Sequence, residues 1–222
     1  MSDSNVSFDN FAGRELLAKD VTFGQADLSY LTFKRCMDVL VAAAALPFVI
    51  MIAIILVPIN AVFNPGSLIF TQRRMGQHCR EFTIYKFRSM LPATYLCRGP
   101  EEPLEVDRIT PFGMFLRRTR MDELPQLLNV LRGDMSLIGP RPDAIEHAST
   151  FISSVARYRD RYVARPGITG LAQVYNGYAE GGSATRRKAH YDSFYIRRAD
   201  WRLDFAIALR TIRIIVTGFG AR

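Results

Sequence analysis

The chain has 222 residues, 49% hydrophobic and 23% charged, a balance that excludes a disordered chain and a multi-span membrane protein and points to one domain with its own core. The net charge of +8 is uneven, because residues 1–33 carry two basic and five acidic groups and the remainder sums to +11. Of the 29 cations 25 are Arg, the side chain that grips phosphate at two points; codon bias in a GC-rich genome accounts for that ratio equally well, and basicity alone admits nucleic acid, anionic lipid or an anionic small substrate.

Residues 1–30 are polar and aperiodic and read as an N-terminal tail. From Val39 to Ile59 run 21 residues without a polar side chain, enough helix to span about 30 Å of hydrocarbon. The run is too long and too late for a signal peptide, and a buried core helix seldom lacks polar residues for so long. Pro47, near its middle, removes a backbone donor and predicts a sharp bend. Lys34 and Arg35 precede the run and Arg73 and Arg74 follow it, so the positive-inside bias puts both ends in the cytoplasm. Together these favour a re-entrant membrane helix within residues 31–66 that breaks at Pro47 over a fully spanning one, which a proline also allows, followed by a cytoplasmic-face domain over 67–222.

Alternation between Ser67 and Met90 predicts a strand pair turning near Gly76, with Lys86 and Arg88 on one face of the second strand. Residues 91–108, with three prolines, read as a loop. Cys36, Cys79 and Cys97 form no CxxC pair and are odd in number, which argues against a disulfide framework or structural zinc and for a reducing cytoplasm. His78, His147 and His190 have no metal-ligand spacing.

In Thr119 to Asp134, TRMDELPQLLNVLRGD, Leu124, Leu127, Leu128 and Leu131 mark one apolar helix face, with Pro125 in the first turn and Gly133 as C-cap. Asp122 and Glu123 then stand at the helix N-terminus, where the macrodipole keeps a carboxylate ionised. Beside Arg117, Arg118 and Arg120 such a carboxylate can bind a hard cation or attack phosphorus; simple capping explains the pair equally well. In GPRP, Gly139 to Pro142, two prolines confine Arg141. In RPGITG, Arg165 to Gly170, the Pro-Gly pair predicts a type II turn with Arg165 at its entrance. Rigid placement of a guanidinium suits phosphate recognition. From Trp201 to Val216, the apolar residues Phe205, Leu209, Ile212 and Val216 line one side and Arg202, Arg210 and Arg213 lie elsewhere. The pattern predicts an amphipathic helix, lying in the membrane interface or packed on the core.

Taken in order, Lys34-Arg35 with Asp38, IFTQRRMG, YKFRSM, DELPQLLNVLRGDMSLIGPRP, RPGITGLAQV and the YDSFYI to WRLDFAIALRTI tail resemble the bacterial sugar transferases, the monotopic polyprenyl-phosphate phosphoglycosyl transferases. The likeness runs from about Leu31 to Gly220. It implies an α/β fold, a small membrane-associated domain with a re-entrant helix and amphipathic interfacial helices, on the cytoplasmic face of a bacterial inner membrane. It further implies Mg²⁺-dependent transfer of a sugar 1-phosphate from a UDP-sugar donor to a polyprenyl phosphate acceptor, the first membrane step of polysaccharide assembly. In that family the Asp of the Asp-Glu pair is the nucleophile, giving a phosphosugar-enzyme intermediate and releasing a nucleoside monophosphate. Carried over, Asp122 is nucleophile and metal ligand, Glu123 its acid/base partner, and Arg117, Arg141, Lys86 and Arg165 hold phosphate.

Two departures stand out: the helix break, commonly Ser-Pro, is Leu46-Pro47 here, and Tyr175 is interposed before Asn176-Gly177. Larger relatives carry further spanning helices and an extra domain ahead of this core, and neither is expected here. The competing readings are a membrane glycosyltransferase that releases UDP and a non-catalytic scaffold of polysaccharide assembly. Nucleic acid is not an expected partner, since the Arg residues are dispersed and no recognised module appears; the amphipathic tail leaves room for a homodimer.

Overall fold

The computed structural model describes residues 28–64, 66–92, 99, 105–176 and 182–217, so most of the predicted tail and much of the 91–108 loop lie outside the described residues. In chain order the elements are α1 (Leu28–Phe63), β1 (Ile69–Met75), β2 (Glu81–Phe87), α2 (Pro111–Arg118), α3 (Gln126–Arg132), β3 (Ser136–Ile138), α4 (Ile145–Ser154), β4 (Gly167–Thr169), α5 (Leu171–Asn176), α6 (Gly182–Arg198) and α7 (Trp201–Thr217). Short 3₁₀ turns intervene, two of which matter below: Met121–Glu123 and Tyr158–Val163. The fold is a mixed helix and sheet domain with one long apolar helix at its start.

That helix, α1, is long and apolar enough to cross a membrane and continues as helix through Pro47 and Pro58. An internal proline costs about 3 kcal/mol, which packing must offset. One stripe, Asp38, Ala42, Val49, Ile52, Leu56 and Asn60, is buried at helical spacing. Its apolar members share the main core with Ile84, Phe87, Leu116, Leu127, Val130 and Met135. The remaining faces are open, with Leu40, Phe48, Ile54 and Val62 all exposed.

Polar side chains tie both ends of α1 to the domain. Arg35 donates to the Val130 and Leu131 carbonyls at 2.8 and 3.2 Å, satisfying the free C-terminus of α3. Asp38 accepts from the Leu137 amide at 3.0 Å. At the far end, Asn60 donates to the Gly66 carbonyl at 3.0 Å and Asn64 to the Arg88 carbonyl at 2.7 Å. Lys34, expected as a flanking charge, instead pairs with Asp204 of α7 at 2.6 Å.

Strands β1 and β2 pair antiparallel from Ile69–Phe87 to Met75–Glu81, and the Gly76 amide closes the turn on the Arg80 carbonyl at 2.8 Å, where alternation predicted a hairpin. Helix α3 is fastened to β2 by buried Asn129, which accepts from the Tyr85 amide at 3.2 Å and donates to the Thr83 carbonyl at 2.7 Å. The C-cap at Gly133 has the expected left-handed conformation, φ 92°. Of the predicted leucine stripe, Leu127 is buried and Leu124 and Leu131 pack against the core, whereas Leu128 is 37% exposed, and Gln126, Asn129 and Val130 are buried as well. The polar Asn129 takes the inward position because the β2 edge offers backbone groups to bond.

Helix α2 starts at Thr110, whose hydroxyl accepts from the Gly113 amide at 2.9 Å, and Pro111 occupies its first turn. A Cβ at Gly113 would stand 1.9 Å from the Ser89 carbonyl oxygen, so the helix rests directly on backbone. In an open helix Gly→Ala stabilises by up to about 1 kcal/mol. Here Gly113→Ala is expected to destabilise by about 2 kcal/mol or more, read as a lower thermal midpoint. A raised midpoint would mean that α2 does not sit on Ser89.

The Pro166–Gly167 pair does not form the expected type II turn. Gly167 opens β4, parallel to β3 with Ser136 opposite Gly167 and Ile138 opposite Thr169, and positive-φ glycines among the described residues are Gly66 and Gly133. Gly167 is needed for proximity, not for φ: a Cβ there would lie 2.1 Å from the Gly139 nitrogen. Helix α7 buries Ile207 against Tyr195 and Ile196, with Leu203 and Ile214 at its margin. The predicted stripe of Phe205, Leu209, Ile212 and Val216, extended by Trp201, faces away from the core and is exposed.

Candidate active site

The Asp-Glu pair is presented by a forced reversal. Arg120, ahead of the turn Met121–Glu123, has φ 59°, a left-handed conformation that a non-glycine residue adopts at a cost of about 1 kcal/mol or more and that clusters at functional sites. Helix α3 begins after Pro125, which makes no side-chain capping bond. Asp122 and Glu123 are therefore not caps: they lie in their own 3₁₀ turn ahead of α3, both buried. The expected placement at the helix N-terminus is corrected accordingly, since Pro125 holds that position.

Glu123 is gripped from two sides. Lys86, on β2 opposite Phe70, places Nζ 3.0 Å from Oε1, and Arg141 Nη2 pairs with the same oxygen. Burial by itself raises this carboxyl, but the fields and hydrogen bonds of Arg141 and Lys86 outweigh it and hold the group well below the usual carboxylate range. Asp122 differs. Burial pushes it above its ordinary value, Glu123 adds to the rise, and Lys86, Arg141 and Arg117 oppose it without reversing it. Adjacent carboxylates are thus driven apart: Glu123 is a fixed anion, and Asp122, in none of the ion pairs of the described residues, is the less comfortable charge.

The structure brings Asp122, Glu123, Lys86, Arg141 and Arg117 together; Arg117 Nε donates to Ser89 Oγ at 3.0 Å, and its charge is felt at Asp122. Arg165 is exposed, and its charge bears on His78 in the β1–β2 turn; it is not among the charges acting on the carboxylate pair. Arg88 turns away to the Ser67 carbonyl at 2.6 Å. Arg118 is exposed.

Among the described residues no group of three or more His, Cys, Asp or Glu side chains could hold a metal. An all-protein cage is not what Mg²⁺ needs: it is commonly held by one or two carboxylates with water and substrate phosphate supplying the rest. Asp122, with Glu123 beside it, fits that mode.

The sequence matches the family described as bacterial sugar transferase over residues 29–218. The chain belongs to the bacterial sugar transferase family. A UDP-N-acetylgalactosamine-undecaprenyl-phosphate N-acetylgalactosaminephosphotransferase of Aeromonas hydrophila is 42% identical over 194 residues, 87% of this chain and 46% of its own. A UDP-glucose:undecaprenyl-phosphate glucose-1-phosphate transferase of Caulobacter vibrioides is 40% identical over 193 residues, 83% of this chain and 70% of its own. The exopolysaccharide production protein PSS of Rhizobium leguminosarum is 37% identical over 194 residues, 82% of this chain and 94% of its own. The chain spans about half the length of the Aeromonas relative.

Two further cations adjoin the site of this bacterial sugar transferase, Arg74, expected only as a basic flank of the apolar run, and Arg161, not singled out from the sequence. Arg74 of β1 turns inward, donating to the Pro142 carbonyl at 3.1 Å and to Gln72 Oε1 at 2.6 Å, and burial together with Arg141 pushes it down to about 10. Arg161 reaches the Arg141 carbonyl at 2.6 Å. Strand alternation separates Arg74 from Arg73, but only the packed loop reveals which of them faces the site.

Proposed function

We propose that the protein is a phosphoglycosyl transferase that moves a sugar 1-phosphate from a UDP-sugar to a polyprenyl phosphate, on the cytoplasmic face of a bacterial inner membrane. The observation that carries this reading is the division of labour between the carboxylates. Asp122 is a buried carboxylate in none of the ion pairs of the described residues, next to an anion, Glu123, that gathers Lys86 and Arg141. In the first step an Asp122 oxygen attacks the sugar-bearing phosphorus, the bond to the bridging oxygen breaks, and UMP leaves. In the second step a polyprenyl phosphate oxygen attacks the phosphosugar-aspartate, which frees Asp122 and forms the polyprenyl diphosphate sugar.

Lys86, Arg141 and Arg117 meet the charge on the transferring phosphoryl oxygens, the main demand of such a step. Glu123, held ionised, is a poor proton donor near neutrality; the geometry favours it as the anchor of Lys86 and Arg141 over the acid/base role. Asp122, with Glu123 nearby, would hold Mg²⁺, which when bound would supply charge neutralisation at the diphosphate. The relatives named for undecaprenyl-phosphate transfer support the donor and acceptor classes.

Re-entrant attachment draws support from α1. Its two ends carry polar side chains bonded to one charged domain, Arg35 and Asp38 at one end, Asn60 and Asn64 at the other. A helix that crossed fully would separate those ends by the bilayer, so their bonds to one domain support the reading in which both lie on one side and the exposed apolar faces of α1 meet lipid. The exposed α7 stripe then lies in the interface. Trp201, the protein's single tryptophan, is on that stripe and 60% exposed. Its fluorescence in nanodiscs is expected to be quenched by brominated lipid and little affected by aqueous iodide. The reverse would remove α7 from the membrane.

The reaction is tested by nucleotide release. Purified protein is given undecaprenyl phosphate, Mg²⁺ and UDP-glucose, UDP-galactose, UDP-N-acetylglucosamine or UDP-N-acetylgalactosamine in turn. UMP is expected with at least one donor. UDP would establish simple glycosyl transfer instead, and no nucleotide from any donor would favour a scaffold.

A further inference from the structure

The segment that carries Arg141 is held from four directions. The Pro140 carbonyl accepts from the Gly167 amide at 2.9 Å, and the Arg141 carbonyl from Arg161 Nη2 at 2.6 Å. The Pro142 carbonyl accepts from Arg74 Nη1 at 3.1 Å, and the Asp143 carbonyl from the Met75 amide at 3.0 Å. Four successive carbonyls are thus bonded by β4, the turn Tyr158–Val163 and two residues of β1, and two of the four residues are prolines that fix φ.

Behind this segment lies a buried charged cluster that the reaction as described does not use. Arg161, its side chain 2% exposed, pairs through Nη1 with Asp143 and places Nη2 3.0 Å from Asp192 Oδ2. It also stacks over the rings of Tyr158 and Tyr162, at 4.8 and 5.6 Å from their centroids. Asp143 further accepts from the Tyr158 and Tyr162 hydroxyls at 2.9 and 3.2 Å and pairs with Lys188. Buried ion clusters are poor stabilisers, often equalled or bettered by apolar side chains of the same volume. Among the described residues, the bond from the Arg161 side chain that leaves the cluster goes to the backbone of Arg141, whose own side chain is on Glu123.

We propose that Arg161 is a positioning residue for transfer: braced by Asp143 and Asp192, and helped by Arg74 from the opposite side, it holds the Arg141 backbone so that the guanidinium stays on the reacting phosphates. The proposal rests on the reading of Arg141 as part of the phosphate site. A long Arg side chain loses its advantage when its root moves, because displacement of about 1 Å can cost 10²-fold in rate. Lys at position 161 keeps the charge against the two aspartates but cannot also reach the Arg141 carbonyl, since one ammonium replaces a planar fork.

The test is a double-mutant cycle on the full chain, with UMP release from whichever of the four UDP-sugars is active as the readout. Arg161→Lys is expected to lower kcat by about 10-fold to 100-fold when Arg141 is present, and by less than about 2-fold when Arg141 is already Ala, because the two act as a unit. Equal losses in both backgrounds would assign Arg161 to general stability and overturn the proposal, as would an unchanged kcat in the first. If Arg141→Ala alone keeps full activity, the phosphate-site reading has failed, and the positioning proposal falls with it. Should Arg161→Lys lack a cooperative thermal transition, Arg74→Lys takes its place in the cycle under the same criteria.

Discussion

Asp122→Asn is expected to lower kcat/KM by about 10³-fold or more, since it removes the attacking group itself, while leaving the thermal midpoint unchanged or higher. The two outcomes share one cause. The Asp122 carboxylate is buried, in none of the ion pairs of the described residues, and burial pushes its pKa up, so the folded state bears a desolvation cost that a neutral isostere removes. Incubation with a UDP-sugar labelled in the sugar-bearing phosphate, without lipid acceptor, should leave label on the native protein and none on the variant. A fall in midpoint with activity intact would mean that Asp122 is structural.

Glu123→Gln is expected to do the reverse to stability. It leaves Lys86 and Arg141 close together without their shared counter-ion, and breaking a buried pair of this kind costs about 2–4 kcal/mol, at the lower end of the usual range because both cations keep some solvent contact. Activity should fall as well, because neither cation is then held at the site. Native stability should also decline on acidification. A carboxyl depressed in the folded state stabilises above its unfolded pKa and loses that contribution as pH falls toward its folded value; Glu123 and Asp143 are both of this kind. Denaturant unfolding between neutral and acid pH should therefore give a shallower decline for Glu123→Gln than for the native chain, and parallel declines would refute the assigned depression. The shift is opposite at Asp122, and activity, like stability, declines on acidification: the raised pKa predicts an acid limb of kcat/KM above the ordinary aspartate range.

Much of this protein was legible in its residues. An uninterrupted apolar run from Val39 to Ile59, the alternation through β1 and β2, and Gly133 as C-cap are local signals whose physics acts over a few residues, and each appears in the fold. Asp122, Glu123 and Arg141 were candidates from local chemistry and Lys86 and Arg117 from the family resemblance, and the fold brings all five together. Local signals misled where a residue serves a distant partner. Gly167 permits contact with Gly139 instead of a turn, Asn129 faces inward to bond the β2 edge, and Arg165, as plausible as Arg141 by sequence, is exposed away from the pair.

The sequence by itself determined the family, the membrane-seeking helix and the residues able to handle phosphate, because periodicity, composition and motif chemistry are properties of short segments. Only the tertiary structure decided that Glu123 is clamped while Asp122 stands in none of the ion pairs of the described residues, and that Arg74 and Arg161 bond the Arg141 loop. Those outcomes depend on burial and on cations contributed from up to tens of residues away, and desolvation and Coulomb energies exist only once the chain has packed.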